Sequence, residues 1–310
     1  MTKKNFFFSL AFVFLVTIGF FIPKPPLLPL KIPLAKLPVS PKLAPPPIIK
    51  LVFVGDVSLA RMVNLRIVQK GFEYPFLKTA AFLGKADLSF SNLESPLVSN
   101  CPPMSTGMKF CGRPENVQSL VFAGIDLVSV ANNHIFNYGQ AGFEETIEIL
   151  LRAGIKPVGF DNKPIFSIGN TKIAFLAYDA TSKLPSAPTL AAETSQAKTQ
   201  ADLVIVSFHW GLEYTDQPIP YQKQLAHLAI DNGADLIIGH HPHWIQTEEI
   251  YQGRHIFYSL GNFVFDQMWS EKTRRGLVVT AAIKDKKLIK IEKQEVYIED
   301  YCQPQLILVE

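Results

Sequence analysis

The sequence predicts an α/β fold with parallel strands at its centre. From about residue 49 onward, short apolar runs alternate with amphipathic stretches, a pattern typical of parallel strands joined by helices. The composition is that of a globular protein, with 48% hydrophobic and 18% charged residues. A chain of 310 residues allows one large domain or two ordinary domains.

The N-terminal segment, residues 1–22, predicts a membrane anchor. Two lysines precede 17 uncharged residues, Phe6 to Ile22, which is typical of a signal anchor or a signal peptide. Seventeen residues give about 25 Å of helix, enough to cross a bilayer core. No small-x-small cleavage site ends the segment, so we expect an uncleaved single-pass anchor; a signal peptide cut further along is the alternative. Lys3 and Lys4 favour a cytoplasmic N-terminus and an extracytoplasmic domain.

Residues 23–48 predict a linker. They contain ten of the 23 prolines, and proline lacks the N–H that helices and central strands need, so we expect a semi-rigid polyproline spacer. The first 48 residues carry six lysines and no acid, whereas residues 49–310 carry 24 basic and 27 acidic side chains. The domain therefore has no basic excess of the kind that indicates nucleic acid binding.

The elements of the domain can be assigned in order. Apolar runs predict strands over 48–56, 86–94, 125–134, 171–180, 201–211, 234–243, 254–265 and 276–284, and over the last thirty residues. Helices are expected through 64–70, 142–154 and 221–233. In the helix over 142–154, apolar residues recur at helical spacing until Gly154 stops it.

Polar residues stand where five of these strands end. They are Asp56, Glu94, Asn133 with His134, His209, and His241 with His243. In open α/β sheets, ligands bind beyond the carboxyl ends of the strands, so these side chains are candidates for one site. Four of these five groups have a simpler alternative: Asp56 as a helix cap, Glu94 as a surface turn residue, the Asn132–Asn133 pair as a turn, and His209 as a core histidine.

The segment IIGHHPHWIQ (237–246) holds three of the seven histidines. His241 and His243 are two residues apart, so an extended backbone would place both rings on one side. Pro242 should hold His241 extended. His240 is out of phase with this pair, so we expect it behind the ligands or facing solvent. Imidazole and oxygen donors together favour Zn, Mn or Fe over Ca.

The sequence contains three cysteines, and one disulfide between two of them is possible. Cys101 and Cys111 can close a short disulfide loop in an oxidising compartment. Cys302 is then left over, and the spacing fits no zinc-finger pattern.

With these motifs together, the sequence resembles the bacterial capsule-synthesis family of the CapA type, associated with poly-γ-glutamate, within the calcineurin-like metallophosphoesterase superfamily. The matching stretches are VGDVSLAR (54–61), SNLESPL (91–97), ANNHIFNYG (131–139), SFHWGLEY (207–214), GADLIIGHHPHWIQ (233–246) and SLGNFVFDQ (259–267). The resemblance implies that residues 49–310 form a metallophosphoesterase-like sandwich of two mixed β-sheets flanked by helices. It also implies a cell-surface role in making or handling an anionic polymer, with capsule synthesis or export proteins as partners.

The resemblance also implies a role for each motif residue. The metal ligands would be Asp56, a bridging Glu94, Asn133, His209, His241 and His243, and the catalytic residue would be His134. One or two divalent ions would be held, and such an ion lowers the pKa of a coordinated water. Lys109 and Arg113 are candidates for binding phosphate or carboxylate on the substrate, although both could be solvated loop charges.

One position departs from the superfamily pattern. Asp56 is followed by Val57 and Ser58, where aspartate-x-histidine is usual, and a serine replaces an imidazole ligand poorly. A mononuclear site is therefore an alternative to a binuclear one. Two functions stay open: a metal-dependent hydrolase or transferase acting on a phosphate ester or γ-glutamyl amide, and a non-catalytic component that binds metal or polyanion. A purely structural surface protein is a third hypothesis.

Overall fold

Two mixed β-sheets lie face to face between two layers of helices. The structure, a computed structural model, describes residues 48–307. The predicted anchor (1–22) and all but the last residue of the predicted linker (23–48) lie outside the described residues. Within the described part of the chain, no helix has the length and apolarity needed to cross a membrane.

The first sheet combines a parallel half with an antiparallel half. Its main path runs, in spatial order, through β14 (Gln303–Leu306), β13 (Lys287–Glu299), β12 (Arg275–Lys284), β1 (Ile49–Val57), β2 (Leu88–Leu93), β3 (Leu127–Ser129) and β4 (Lys156–Val158). Strands β1 to β4 pair in parallel, and β12 to β14 pair antiparallel. The short strand β11 (Asn262–Val264) pairs in parallel with the end of β1, opposite Asp56. This pairing brings a late segment of the chain beside the first strand.

The second sheet is also mixed. In spatial order it contains β5 (Ile165–Ile168), β6 (Thr171–Ala180), β7 (Leu203–Trp210), β8 (Leu236–His240), β10 (Arg254–Phe257) and β9 (Glu248–Tyr251). The four inner strands are parallel, and the two edge strands are antiparallel. The parallel centre agrees with the strand–helix alternation of the sequence.

Helices cover the outer face of each sheet. They are α1 (Arg61–Lys70), α2 (Ala80–Leu83), α3 (Val117–Ala123), α4 (Gly139–Arg152), α5 (Ala187–Gln200) and α6 (Pro220–Asp231). The first four pack on the first sheet, and the last two pack on the second. Alternate residues of the facing strands, such as Phe53 and Phe90 against Phe175 and Ile205, fill the space between the sheets. The strands are buried on both faces, which is why they read as continuous apolar runs.

Two predicted strands are shorter or broken. The run 125–134 forms a strand only over Leu127–Ser129, so Asn133 and His134 lie in the turn that follows. The run 254–265 splits into β10 in the second sheet and β11 in the first. Gly261, at φ 68°, lies in the crossing segment. The sequence pattern does not indicate this change of sheet, because both halves contribute buried apolar residues.

One disulfide joins Cys101 to Cys111, whose Cα atoms are 5.7 Å apart. Cys302 is free and buried. The pairing that the sequence left open is therefore present. It closes a loop that runs beside the turn carrying His134.

Candidate metal centre

Side chains from both sheets converge beyond the carboxyl ends of their parallel strands. Asp56 comes from the end of β1, Glu94 follows β2, and His209 lies near the end of β7. One oxygen or nitrogen atom from each of these three buried residues lies within 4.8 Å of the others. The position is the one expected for a ligand site in parallel α/β sheets.

Asp56 is held by contacts from several elements. Its Oδ1 accepts a hydrogen bond from Asn92 Nδ2 at 2.9 Å, and its Oδ2 accepts one from the His241 backbone N–H at 3.2 Å. Oδ1 also lies 3.1 Å from His240 Nδ1, and Oδ2 lies 3.4 Å from His243 Nδ1. The carboxylate therefore links the first sheet to the histidine segment that follows β8.

His209 and Asn133 approach each other from opposite sheets. The His209 Nε2 atom and the Asn133 Oδ1 atom are 3.0 Å apart. Two ligands bound to the same cation at about 2.0–2.2 Å lie roughly 3–3.5 Å apart. The two atoms form a hydrogen bond, and the same spacing would suit two ligands of one ion.

Glu94 occupies the middle of the cluster and is fully buried. Its Oε1 lies 3.6 Å from His243 Nε2 and 3.9 Å from His134 Nε2, and its Oε2 lies 4.0 Å from His209 Nε2. Within residues 48–307, Oε1 has no hydrogen-bond donor. Leaving a buried carboxylate oxygen without a partner is costly, and a cation between Glu94 and the imidazoles would remove that cost.

The histidine pair is arranged differently from the sequence prediction. Strand β8 ends at His240, and the chain then bends, with φ 96° at His241 and φ 57° at His243. The prediction that Pro242 holds His241 extended is wrong. Positive φ is uncommon for non-glycine residues, although histidine adopts it more often than most, and a sparsely populated conformation of this kind costs of order 1–3 kcal/mol. At this bend, the backbone N–H of His241 points at Asp56 and donates to its Oδ2.

Asn262 fixes the orientation of His243. Its Oδ1 lies 2.9 Å from His243 Nδ1, while its Nδ2 donates to Gln267 Oε1 and to the Thr273 carbonyl. These two acceptors identify the atom facing His243 as the oxygen, so His243 donates from Nδ1. Its Nε2 then faces Glu94, as in metal-bound histidines whose other nitrogen is hydrogen-bonded.

Three further residues belong to the cluster. Asn92 and Asn262 were not predicted to lie there, and His240 was expected either behind the ligands or facing solvent. Asn92 Nδ2 contacts Asp56, Glu94 (3.3 Å) and His209 Nδ1 (3.2 Å). Asn262 is described above. His240 is fully buried beside Asp56, and neither of its nitrogens has a hydrogen bond among the described residues. Of the two positions expected for His240, the one behind the candidate ligands agrees with the structure, and the solvent-facing one is wrong. Asn92 lies in β2, two residues before Glu94, which directly follows the strand, and that period-two spacing was the signal available in the sequence.

Neither candidate substrate-binding residue makes a side-chain hydrogen bond or ion pair with the cluster among the described residues. Lys109 is exposed, with its Nζ 4.3 Å from the Tyr138 ring centroid. Arg113 is exposed and lines an open surface cavity of about 680 Å³, which none of the candidate metal ligands line.

Burial and neighbouring charges shift the pKa values of the cluster in opposite directions. Burial lowers the pKa of His209 well below its usual value, and it lowers that of His241 to about 4 with the help of His243. Burial also opposes the charged form of His243, but Glu94 and Asp56 outweigh it and raise the His243 pKa to about 9. His209 and His241 are therefore neutral at pH 7, which is the form of imidazole that binds metals.

The two carboxylates also differ. Burial raises the pKa of Glu94 well above its usual value. Burial acts in the same sense on Asp56, but His240 and His243 outweigh it and lower the Asp56 pKa well below its usual value. Burial therefore favours the neutral form of Glu94, whereas the neighbouring imidazoles favour the charged form of Asp56.

The donor set fits a divalent transition metal. Carboxylate, amide and imidazole atoms converge. Two buried side-chain atoms of the cluster residues, Glu94 Oε1 and His241 Nδ1, have no hydrogen bond within the described residues. Mixed nitrogen and oxygen donors suit first-row divalent ions. Ser58 stands where the superfamily pattern has a histidine. It is buried, and its Oγ is likewise unpartnered among those residues. This position therefore offers a hydroxyl in place of an imidazole.

Comparisons with known proteins place the chain in a family. The family model described as "Bacterial capsule synthesis protein PGA_cap" matches residues 50–267. The chain is 33% identical over 256 residues to "Capsule biosynthesis protein CapA" of Bacillus anthracis, covering 74% of this chain and 62% of that protein. It is 32% identical over 249 residues to "PGA biosynthesis protein CapA" of Bacillus subtilis (strain 168), covering 73% and 66%. The chain thus spans less than two thirds of the length of these relatives.

A solved structure shares the fold. It is a hypothetical protein from Thermus thermophilus, which aligns with a TM-score of 0.54 at 15% identity, over 81% of this chain and 100% of that one. That likeness concerns the fold alone. The family match covers β1 through the segment after β11, and so includes every candidate ligand described above. The chain belongs to the PGA_cap family of bacterial capsule synthesis proteins.

Proposed function

We propose that this protein is a metal-dependent hydrolase or transferase that acts in the synthesis or export of an anionic capsule polymer of the poly-γ-glutamate type. The bond attacked would be a phosphate ester or a γ-glutamyl amide. The observation that carries the proposal is the convergence of Asp56, Glu94 and His209, from two different sheets, within 4.8 Å. The family and the names of the two Bacillus relatives support the capsule role.

Each group in the cluster has a part in this chemistry. Asp56, Glu94, Asn133, His209, His241 and His243 would hold one or two ions of Zn, Mn or Fe. Such an ion supplies Lewis-acid stabilisation of charge on the reacting oxygen. His134 would hold or transfer a proton at Nε2, which faces Glu94 Oε1 at 3.9 Å. The buried setting strengthens these electrostatic interactions because little water screens them.

Metal analysis combined with turnover tests this proposal. The full chain, purified without chelators, should contain tightly held Zn, Mn or Fe, and His241→Ala/His243→Ala should lose it. The matched control is His227→Ala, since His227 is paired with Glu249 on the second sheet, away from the cluster. Wild-type protein should hydrolyse a generic phosphodiester or a γ-glutamyl peptide, and the double variant should not. Absence of metal from the wild type would overturn the proposal.

A second candidate function is a non-catalytic component that binds metal or polyanion within a capsule assembly. Ser58 favours it, because a short hydroxyl stands where the superfamily pattern implied by the sequence has a histidine ligand. Stoichiometric metal without turnover of either substrate class would support this candidate over the enzyme. Anomalous X-ray scattering at the cluster would give the identity and number of the ions.

We further propose that Lys109 and Arg113 bind carboxylates of a long polymer outside the metal centre. Lys109 lies next to Phe110 in the disulfide loop, and Arg113 lies two residues beyond Cys111. Lys109→Ala and Arg113→Ala should each weaken binding of polyglutamate, by an amount that falls as salt rises. Unchanged binding in both variants would remove these residues from the proposed site.

The same proposal includes a location: a single-pass membrane protein with its domain outside the cytoplasm. The sequence of residues 1–22 supports the anchor, and the Cys101–Cys111 disulfide supports an oxidising compartment. Protease added to intact spheroplasts should digest the domain while a cytoplasmic marker survives. Protection of the domain would contradict this location.

A further inference from the structure

A loop closed by the Cys101–Cys111 disulfide covers one face of His134. Phe110, next to Cys111, stacks on the His134 ring with the centroids 3.8 Å apart and the planes inclined by 8°. Phe110 is 2% exposed, so the contact is an interior one. Stacking of this kind restricts the orientation of the imidazole.

Arg61 holds the opposite face of the Phe110 ring. Its Cζ lies 4.3 Å from the ring centroid, and its Nη1 donates to the Gly107 carbonyl at 3.1 Å. The same guanidinium is paired with Asp266 through Nε and Nη2. Arg61 and His134 cannot share one face of the ring at such short distances, so Phe110 lies between them. The buried ion pair thus fixes the loop in place.

Asn137 determines which nitrogen of His134 carries a proton. Its Oδ1 faces the Phe110 backbone N–H at 2.6 Å and His134 Nδ1 at 3.0 Å. A backbone N–H can only donate, so the Asn137 atom that it meets is the carbonyl oxygen and not the amide nitrogen. That oxygen can only accept from His134, and therefore Nδ1 carries a proton. The remaining nitrogen, Nε2, faces Glu94 Oε1 at 3.9 Å.

We propose that Phe110 and Asn137 are positioning residues for His134: together they hold its ring with Nδ1 protonated and Nε2 directed at the metal centre. The expected effect on turnover rests on the proposed function. The orientation and tautomer of His134 do not depend on it. Residues that orient a functional histidine typically contribute about 10- to 100-fold to affinity or activity. Neither residue touches a candidate metal ligand through its side chain, so their effect passes through His134.

The tautomer of His134 is the first test. Zinc-loaded full-length protein labelled with ¹⁵N-histidine gives two-bond ¹⁵N–¹H spectra that distinguish the two neutral forms, and His134→Gln identifies the signals by their loss. Wild type should show Nδ1 protonated. Asn137→Leu should mix the two forms, whereas Asn137→Asp, which keeps an acceptor oxygen, should retain Nδ1–H. Protonation of Nε2 in the wild type, or no change in Asn137→Leu, would overturn the inference.

The stacking contact has its own signature. Phe110→Leu keeps the backbone N–H that holds Asn137 but removes the aromatic ring, so the carbon-bound ring protons of His134 should lose their upfield ring-current shift. Met108→Ala is the control, because Met108 lies in the same loop and is 66% exposed. It should leave those signals in place. A Phe110→Leu spectrum identical to the wild type would contradict the role of Phe110.

Turnover separates positioning from the proposed function itself. On a substrate that wild type hydrolyses, Asn137→Leu and Phe110→Leu should lower kcat by about 10- to 100-fold. They should leave KM within about twofold, because residues that act only through His134 do not change ground-state binding. Equal loss in Met108→Ala would indicate a general disturbance of the loop and overturn the assignment. If wild type binds metal but turns over nothing, the proposed function fails while the tautomer spectra still decide the positioning of His134.

Discussion

At the scale of single residues, the candidate ligands are oriented by amides that lie behind them. Asn92 contacts Asp56, Glu94 and His209, and Asn262 accepts from His243. An amide supplies both a donor and an acceptor on one rigid plane, so it can orient a carboxylate and an imidazole without adding charge. The buried cluster already contains two carboxylates, and a third would raise the cost of ionising them.

Asn262→Ala should weaken metal binding by about 10- to 100-fold, because His243 loses the acceptor that leaves Nε2 free for a cation. Competition with a chromogenic chelator measures the dissociation constant. Gln267→Ala is the matched control. It removes another partner of the same amide but leaves Asn262 Oδ1 facing His243, so its affinity should stay within about threefold of wild type. Similar losses in both variants would assign the effect to local packing.

At the scale of elements, the short strand β11 connects the late part of the chain to β1. The Asp56 N–H donates to the Gly261 carbonyl at 2.9 Å, and Asp56 pairs with Asn262 in the register of the two strands. Gly55 allows this approach, because a Cβ there would lie 2.1 Å from the Gly261 oxygen. The position of Asp56 therefore depends on the glycine at the preceding position, Gly55.

Gly55→Ala should destabilise the protein by about 3 kcal/mol or more, at the upper end of the range for overpacking, since the atom that the methyl meets belongs to the backbone and cannot rotate away. Urea unfolding followed by circular dichroism measures the change. Gly84→Ala serves for comparison: its Cβ would come no closer than 3.3 Å to another atom, and its φ of −66° suits alanine. That variant should stay within about 1 kcal/mol of wild type. Equal stability of Gly55→Ala and wild type would contradict the close approach of β11.

At the scale of the whole molecule, the candidate ligands are divided between the two sheets. Asp56 lies near the end of β1 and Glu94 follows β2, both in the first sheet. His209 lies near the end of β7 and His241 follows β8, both in the second sheet. An ion bound to both sets would connect the sheets at one edge. Ligands that bind only the folded state increase its stability by mass action, so metal content should affect the unfolding of the entire domain.

Removal of the metal should therefore lower the unfolding temperature. At a free metal concentration of 100 times Kd the stabilisation is about 2.7 kcal/mol, which corresponds to roughly 5–10 °C for a domain of this size. Differential scanning calorimetry of metal-loaded and EDTA-treated protein measures the shift. His241→Ala/His243→Ala should respond to EDTA by less than about 2 °C. If wild type and double variant respond equally, the metal acts elsewhere in the chain.

The sequence by itself determined most of the strands and the chemical identity of the groups at their ends. Apolar runs record burial residue by residue, so strands such as β6, predicted over 171–180 and observed over Thr171–Ala180, follow from local pattern alone. The carboxylates, amides and imidazoles that follow those strands are equally visible in the chain. The roles of these residues as ligands and of His134 as a catalytic group stay predictions.

Only the tertiary structure decided how those groups meet. The run 254–265 divides between two sheets, the His241–His243 segment bends at positive φ, and Asn92, Asn262 and Phe110 reach the cluster through contacts with residues far away in sequence. Local periodicity carries no information about which sheet a strand joins or which distant amide lies behind an imidazole. Those choices depend on how the two sheets and the disulfide loop pack together, because each is set by contacts that form only after the elements have assembled.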